Sequence, residues 1–367
     1  MSASGNRELR VLGLFDHAGL RRDQHGEPEG ERIAGPYRVD LLAAHGIDLV
    51  TVPPARAALH RKLRDVAEHR SGVAQDLALR GARHAFRADA VLCLLEDKAV
   101  LPAALRRRRI PPYARPPIVA VSCWWAEELV HGSEEQRQRI ARTARALDAI
   151  VVFSQNQAEA FARIGVADRI VPVPFGVDET WYTPSAPVRP RLQVAAMGID
   201  RGRDYLTLVE AARLTPEIRY DLFTQPERFA EIPLPPNVAV HAPVPMPAHR
   251  ENLRAANLVV VPTHDLAYPT GQSVLLEAMA CGRCTAVTRT AAMAEYLDDG
   301  RSNLALPLHD PEGVARVVRR ALGDPGLRQR VGDAARAEVE ARLTFDRTWA
   351  RVADVLREVA DRGERLR

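Results

Sequence analysis

Lysine is nearly missing from this chain. Of 51 basic residues among 367, only Lys62 and Lys98 are lysine, and the rest are arginine. Any anion grip in the C-terminal half must then rest on arginine, helix N-termini or backbone amides. Cysteine is scarce as well, with Cys93, Cys123, Cys281 and Cys284 alone. So few in so long a chain argue against a disulfide framework and fit a reducing compartment. Long apolar runs are also lacking. Runs such as Leu258 to Val261 are strand-length, whereas a membrane span needs about 20 apolar residues. The polar start, Met1 to Arg10, has no apolar core and does not read as a secretory signal. The expected location is the cytoplasm.

What is present is ordinary for a globular protein. Hydrophobic residues make up 46% and charged residues 27%, which argues against extensive disorder and is enough for two cores. The net charge of +4 and pI near 9.0 are small for the size, so no nucleic-acid partner is expected. The Arg- and Ala-rich composition points to a GC-rich bacterial genome. Fourteen basic and six acidic side chains fall between Arg56 and Arg115, including the run Arg106 to Arg109. Leu59, Leu63 and Val66 form an apolar stripe beside Arg61, Lys62 and Arg64. Such a face could rest on an anionic membrane or bind an anionic acceptor. A solvated surface is the commoner outcome, so membrane contact is not favoured.

Short apolar runs alternate with helical patterns. Leu9 to Phe15, Asp48 to Val52, Ala90 to Leu94, Ile118 to Val121 and Ile150 to Phe153 read as buried strands. Helical stretches are expected at Pro36 to Ala44, Arg56 to His69, Gly72 to Arg83 and Ser133 to Leu147. Ser154 with Gln157 has capping-box spacing into Ala158 to Ile164. The proline-rich piece Thr183 to Pro190 reads as a linker, after which the alternation restarts. The expected class is α/β: two Rossmann-like domains facing a central cleft, over residues 1–184 and 185–345. A last helix is expected within 346–367, crossing back to the first domain.

The stretch Tyr268 to Gly282 carries most information. A glycine leads into a helix, so Gly271 lets a ligand approach the backbone. The amides of Gln272, Ser273 and Val274 then point at whatever precedes the helix, an anion site by unpaired N–H groups and peptide dipole. Glu277 lies one turn from Ser273 on the same face, where its carboxylate could accept two vicinal ribose hydroxyls. The plainer reading is a capped core helix ended by Gly282.

This stretch resembles the signature of the retaining glycosyltransferases of family 4, which have the GT-B fold. In that family an acid, a glycine-containing turn and a second acid precede Ala-Met-Ala-Cys-Gly, here Ala278 to Gly282. The resemblance implies that Glu277 binds the nucleotide ribose and that the amides of Gly271 to Val274 bind the diphosphate. Pro174 to Asp178 with Tyr182 and Pro184, Asn237 to His241, and Leu258 to Pro262 are also similar to the family. Three departures stand out. Pro269 occupies the place of the leading acid, and Asp265 on the same loop is the candidate substitute, given a catalytic role. Arg201 and Arg203 stand where the family has an arginine and a lysine for the diphosphate. Ser122 to Glu128 lacks the histidine often found there.

Other candidates come from position. Trp124, beside Trp125 at a strand end, could stack on a sugar ring, although a paired tryptophan in a core is the simpler explanation. Glu127 could act as base toward an acceptor. His17 and Gly19, after the first strand, are candidates to meet phosphate or acceptor; the alternative is a disordered surface loop. Cys281-Gly282-Arg283-Cys284 has redox spacing but lies at a helix end, where the dipole does not favour a thiolate. Without an Asp-x-Asp motif no metal is expected, and no cofactor beyond a nucleoside diphosphate sugar as donor substrate. The expected activity is transfer of a hexosyl group, with retention, to a small polar or saccharide acceptor. The alternatives are a non-catalytic degenerate GT-B binding protein and a nucleotide-sugar epimerase or pseudo-glycosyltransferase.

Overall fold

A computed structural model describes residues 8–15, 36–53, 57–71, 73–185 and 192–365. The chain divides into two compact units, Met1–Pro174 with Thr348–Arg367, and Phe175–Arg347.

In the first unit β1 (Leu9–Leu14), β2 (Ile47–Thr51), β3 (Ala90–Leu94), β4 (Ile118–Val121), β5 (Ala149–Val152) and β6 (Ile170–Pro172) form one parallel sheet. Its order is β2-β1-β3-β4-β5-β6. Every residue of β3, β4 and β5 is buried, which is why these strands read as continuous apolar runs rather than alternating ones. The crossovers are α1 (Ala58–Ser71), α2 (Asp76–Ala85), α3 (Glu96–Arg107), α4 (Trp125–His131), α5 (Glu134–Ala144) and α6 (Gln157–Ala162).

Two local expectations are corrected. Pro36–His45 is a tight 3-10 segment rather than an α-helix, because Tyr37 and Arg38 take left-handed backbone angles (φ 55 and 57). Gln157 does not cap a helix begun by Ser154. Its Oε1 accepts from Phe153 N–H at 3.0 Å and Ser154 Oγ at 3.1 Å, and Asn156 is the N-cap. The reciprocal box sits at Ser133 and Gln136, opening α5.

In the second unit β7 (Leu192–Met197), β8 (Tyr220–Phe223), β9 (Val238–His241), β10 (Ala256–Val261), β11 (Thr285–Thr288) and β12 (Leu304–Leu306) form a second parallel sheet. The order is β12-β11-β10-β7-β8-β9. The helices are α7 (Tyr205–Arg213), α8 (Met246–Ala255), α9 (Gln272–Ala280), α10 (Pro311–Gly323) and α11 (Pro325–Arg342). Asp204, Asp310 and Asp324 cap α7, α10 and α11 through side-chain oxygens. One core joins Leu208, Tyr220, Leu258, Val260 and Val318.

The expected division at 184/185 lies ten residues beyond the boundary at Pro174/Phe175. The chain is bonded to the second unit from Phe175 on, whose N–H donates to Tyr296 Oη at 2.8 Å, while Val177 N–H donates to Leu343 O at 2.9 Å. Arg336 Nη1 donates to the carbonyls of Glu179, Tyr182 and Ala280 at 3.1, 2.9 and 2.9 Å. Arg254 holds Thr183 through its carbonyl at 2.8 Å and its hydroxyl at 2.6 Å, and Arg250 lies 4.0 Å over the Trp181 ring. These contacts bind 179–183 to the second unit before the proline-rich piece begins. The last helix, α12 (Phe345–Arg365), groups with the first unit from Thr348 onward. Trp349 Nε1 donates to Tyr37 O at 2.7 Å, and Arg357 donates to His45 O.

Replacing Arg336 with Met strands three carbonyls together. Urea unfolding should show a loss of about 2–4 kcal/mol; a loss below about 0.5 kcal/mol would show that those carbonyls do not depend on it.

Candidate nucleotide site

The second sheet reverses its strand order between β7 and β10. In doubly wound sheets ligands sit beyond the C-terminal strand ends at such a reversal. Two loops meet there, 198–204 after β7 and 262–271 after β10. Asp204 N–H donates to Pro262 O at 3.1 Å and His264 N–H to Gly202 O at 2.9 Å. Thr270 Oγ1 donates to Asp200 Oδ1 at 2.7 Å.

Arg203 lies between these loops and is only 6% exposed. Its Nε and Nη1 reach no acceptor among the described residues. A Cβ on Gly271 would sit 2.4 Å from its Nη1, and one on Gly198 2.7 Å from its Nη2. The guanidinium is thus packed against two glycine backbones, both at positive φ (86 and 127). Burial pulls Arg203 below the ordinary arginine range, while Tyr205, Asp200, Tyr268 and Glu277 act in the opposite sense. A desolvated cation with unspent donors is costly, and an anion at Gly271 would relieve that cost.

Gly271 is the N-cap of α9. Of the amides expected at the anion, that of Gln272 is already taken, since it donates to Pro269 O at 3.2 Å. Ser273 and Val274 remain in the first turn, where N–H groups have no intrahelical acceptor. Further along α9, Glu277 Oε2 lies 2.8 Å from His249 Nε2, and each side chain is 19% exposed. His249, on α8, was not singled out from the sequence. Nothing in its own neighbourhood marks it, since its partner is 28 positions away. One oxygen of Glu277, Oε2, is therefore held by His249.

Residues 203–354 match the family model described as glycosyl transferase-like. A D-inositol 3-phosphate glycosyltransferase of Streptomyces bingchenggensis is 33% identical over 114 residues, 31% of this chain and 24% of that protein. One of Xylanimonas cellulosilytica is 29% identical over 247 residues, 59% of this chain and 58% of that protein. The chain thus spans less than two thirds of either relative. Sucrose-phosphate synthase of Thermosynechococcus elongatus superposes with a TM-score of 0.70 at 17% identity, over 96% of this chain and 99% of that one. Anabaena HepE in complex with UDP and glucose gives 0.65 at 17% identity, over 95% and 100%. Residues 203–354 thus resemble the glycosyl transferase-like family, and the chain shares the two-sheet GT-B fold of these solved structures.

The other residues expected to serve a glycosyltransferase fall in different places. Arg201 is exposed on the turn before Arg203, so of the two candidate arginines only Arg203 is buried beside Gly271. Asp265 is exposed on the loop after β10, and Pro269 is buried. Trp124 is half-buried at the start of α4, whereas Trp125 joins the core. Glu127 is largely covered and lies 3.8 Å from His131 Nε2. His17 and Gly19 lie outside the described residues. A carboxylate that sequence reasoning passed over organises the loop before α4: Glu96 Oε1 accepts from Ser122 Oγ at 3.0 Å and from the Cys123 and Trp124 amides.

In the basic region, Arg106 pairs bidentately with Asp148 at 2.6 and 3.0 Å. Leu59 and Val66 are exposed on α1, Leu59 at 70%. No helix among the described residues is long and apolar enough to cross a membrane. Cys281 and Cys284 are buried free thiols pushed up to about 12 by desolvation, which opposes redox chemistry. Iodoacetamide at pH 8, read by mass spectrometry on the native protein, should modify half-buried Cys123 well before either of them. Rapid labelling of Cys281 or Cys284 would revive the redox reading.

Proposed function

We propose that the chain transfers a hexosyl group from a nucleoside diphosphate sugar to a small polar or saccharide acceptor, with retention of configuration. The observation that carries this reading is the buried Arg203 guanidinium, with two unspent donors, against the N-terminus of α9. The diphosphate would sit on Arg203 and the amides of Ser273 and Val274. The carboxylate of Glu277 would accept ribose hydroxyls. In transfer, the bond from the anomeric carbon to the diphosphate oxygen breaks, and the new bond forms to the acceptor oxygen, whose proton must leave. Negative charge grows on the departing diphosphate, where donors fixed in a dry site are most effective.

Glu127 is the proposed proton acceptor, Trp124 the proposed sugar platform and Asp265 the proposed replacement for the acid missing at Pro269. His17 and Gly19 stay as proposed acceptor contacts and Arg201 as an outer phosphate contact. The expected domains, 1–184 for the acceptor, 185–345 for the donor and the 346–367 helix, are kept in the proposal as functional halves. UDP is the first nucleotide to try, because it is bound in HepE. A non-catalytic binding protein is the second reading, favoured by Pro269 where the family has an acid.

A thermal-shift screen with UDP, GDP, dTDP and ADP tests the site. A ligand at 100 times its Kd should add about 2.7 kcal/mol. Arg203→Met should abolish that response, while the ligand-free protein melts at or above the wild-type temperature because a lone buried charge has gone. A full response in Arg203→Met, or none to any nucleotide in the wild type, would sink the assignment. Binding without turnover, across a panel of acceptors, would favour the non-catalytic reading.

A second experiment separates Glu277 from the phosphate grip. Glu277→Gln should raise the KM for donor about tenfold or more with little change in Tm, and should lower discrimination between UDP and 2′,3′-dideoxy-UDP. Undiminished discrimination would remove the ribose role.

A further inference from the structure

Three side chains from separate strand ends of the second unit converge beside the nucleotide loops. Asp204 follows β7, His264 follows β10 and His309 follows β12. His309 Nδ1 lies 2.9 Å from Asp204 Oδ2, and His264 Nδ1 lies 4.0 Å from the same oxygen. All three ligand atoms lie within 4.8 Å of one another. The two imidazole rings have centroids 5.5 Å apart and are tilted by 41°.

The carboxylate is held in place from behind. Asp204 is 4% exposed, its Oδ1 accepts from Thr207 N–H at 3.1 Å, and its Oδ2 accepts from Thr207 Oγ1 at 2.6 Å. The histidine side chains are more open, at 41% and 54%. His309 also takes a left-handed backbone (φ 51), which costs a non-glycine residue about 1 kcal/mol. That conformation delivers its ring to Asp204.

We propose that Asp204 Oδ2, His264 Nδ1 and His309 Nδ1 form a site for one borderline divalent transition-metal cation, of the Zn2+ class, completed by water. Two imidazole nitrogens and one carboxylate suit such a cation and not Mg2+, which takes oxygen ligands. Bonds of about 2.0–2.2 Å place neighbouring ligand atoms about 3.0–3.5 Å apart. The 2.9 Å pair falls just short of this spacing and would open slightly, and a small rotation of the half-exposed His264 would close the 4.0 Å gap. Coordination through His309 Nδ1 requires that its proton reside on Nε2 or leave. The ligands span 105 positions, so no local motif announces them. The cation would tie together the ends of three strands next to Arg203. It is not assigned to the diphosphate, and the site stands apart from the nucleotide reading.

The test is calorimetric titration of ZnCl2 into the untagged, EDTA-treated full chain. His309→Asn keeps a side chain that tolerates the left-handed backbone, and His264→Ala truncates a half-exposed one. Thermal melts without metal check that both variants fold. Expected are one Zn2+ per chain, affinity at least about tenfold weaker in each variant, and no displacement by millimolar Mg2+. Co2+ should give visible bands that both variants lose. Stoichiometric Zn2+ binding unchanged in the double variant, no binding in the wild type, or ready displacement by Mg2+ would each overturn the site. Nucleotide thermal shifts on the same variants, measured without metal, keep a failure here separate from a failure of the donor site.

Discussion

A guanidinium buried between two glycine backbones governs the second unit. Arg203 can occupy that position only because Gly198 and Gly271 have no Cβ, which would fall 2.7 and 2.4 Å from its nitrogens. Both glycines also hold backbone angles that L side chains rarely adopt. The two loops are then pinned by main-chain bonds, from Asp204 to Pro262 and from His264 to Gly202. Thus the reversal of strand order between β7 and β10 becomes a place where a charge is kept dry and its donors are left unspent. Stability alone does not favour that arrangement, since a well-packed apolar residue would cost less.

Arginine also does structural work that lysine could not. A single Arg336 nitrogen reaches three carbonyls while Nε of the same group pairs with Glu340 at 2.7 Å. Arg254 takes a carbonyl and a hydroxyl of one residue, Thr183. The planar fork with five donors makes such multiple contacts possible from one side chain. A nearly lysine-free composition therefore has a consequence in the fold: the segment around Tyr182 is held by guanidinium groups, and the unit boundary precedes it.

Strands were the most legible part of the sequence. Ala90–Leu94 and Ile118–Val121 have the same limits in both, since short apolar runs between turn residues have few other uses. Helices were less clear. α3 holds Pro102 and ends in an arginine run, a pattern without a clean apolar stripe, and α11 was not picked out from the chain. In the site, the glycine turn and the helix behind it could be read because their residues are adjacent. His249, Glu96 and His309 could not, because each acts on a partner brought near by the fold. The chain carries local backbone chemistry openly and hides pairings between distant residues.

The replacement of an acid by Pro269 can be understood in the same terms. Pro269 is buried, and its carbonyl takes the Gln272 N–H at 3.2 Å. Proline has no N–H and a fixed φ, so the position now serves the turn that presents Gly271 and has no side-chain polar group to offer a sugar. The amides of Ser273 and Val274 and the carboxylate of Glu277, steadied by His249 at 2.8 Å, remain for the proposed donor. Selection among donors would then fall more heavily on the nucleotide than on the sugar. An enzyme so built would discriminate bases and ribose hydroxyls more sharply than hexose epimers, because a site rejects strongly only the groups its own polar atoms were placed to bind.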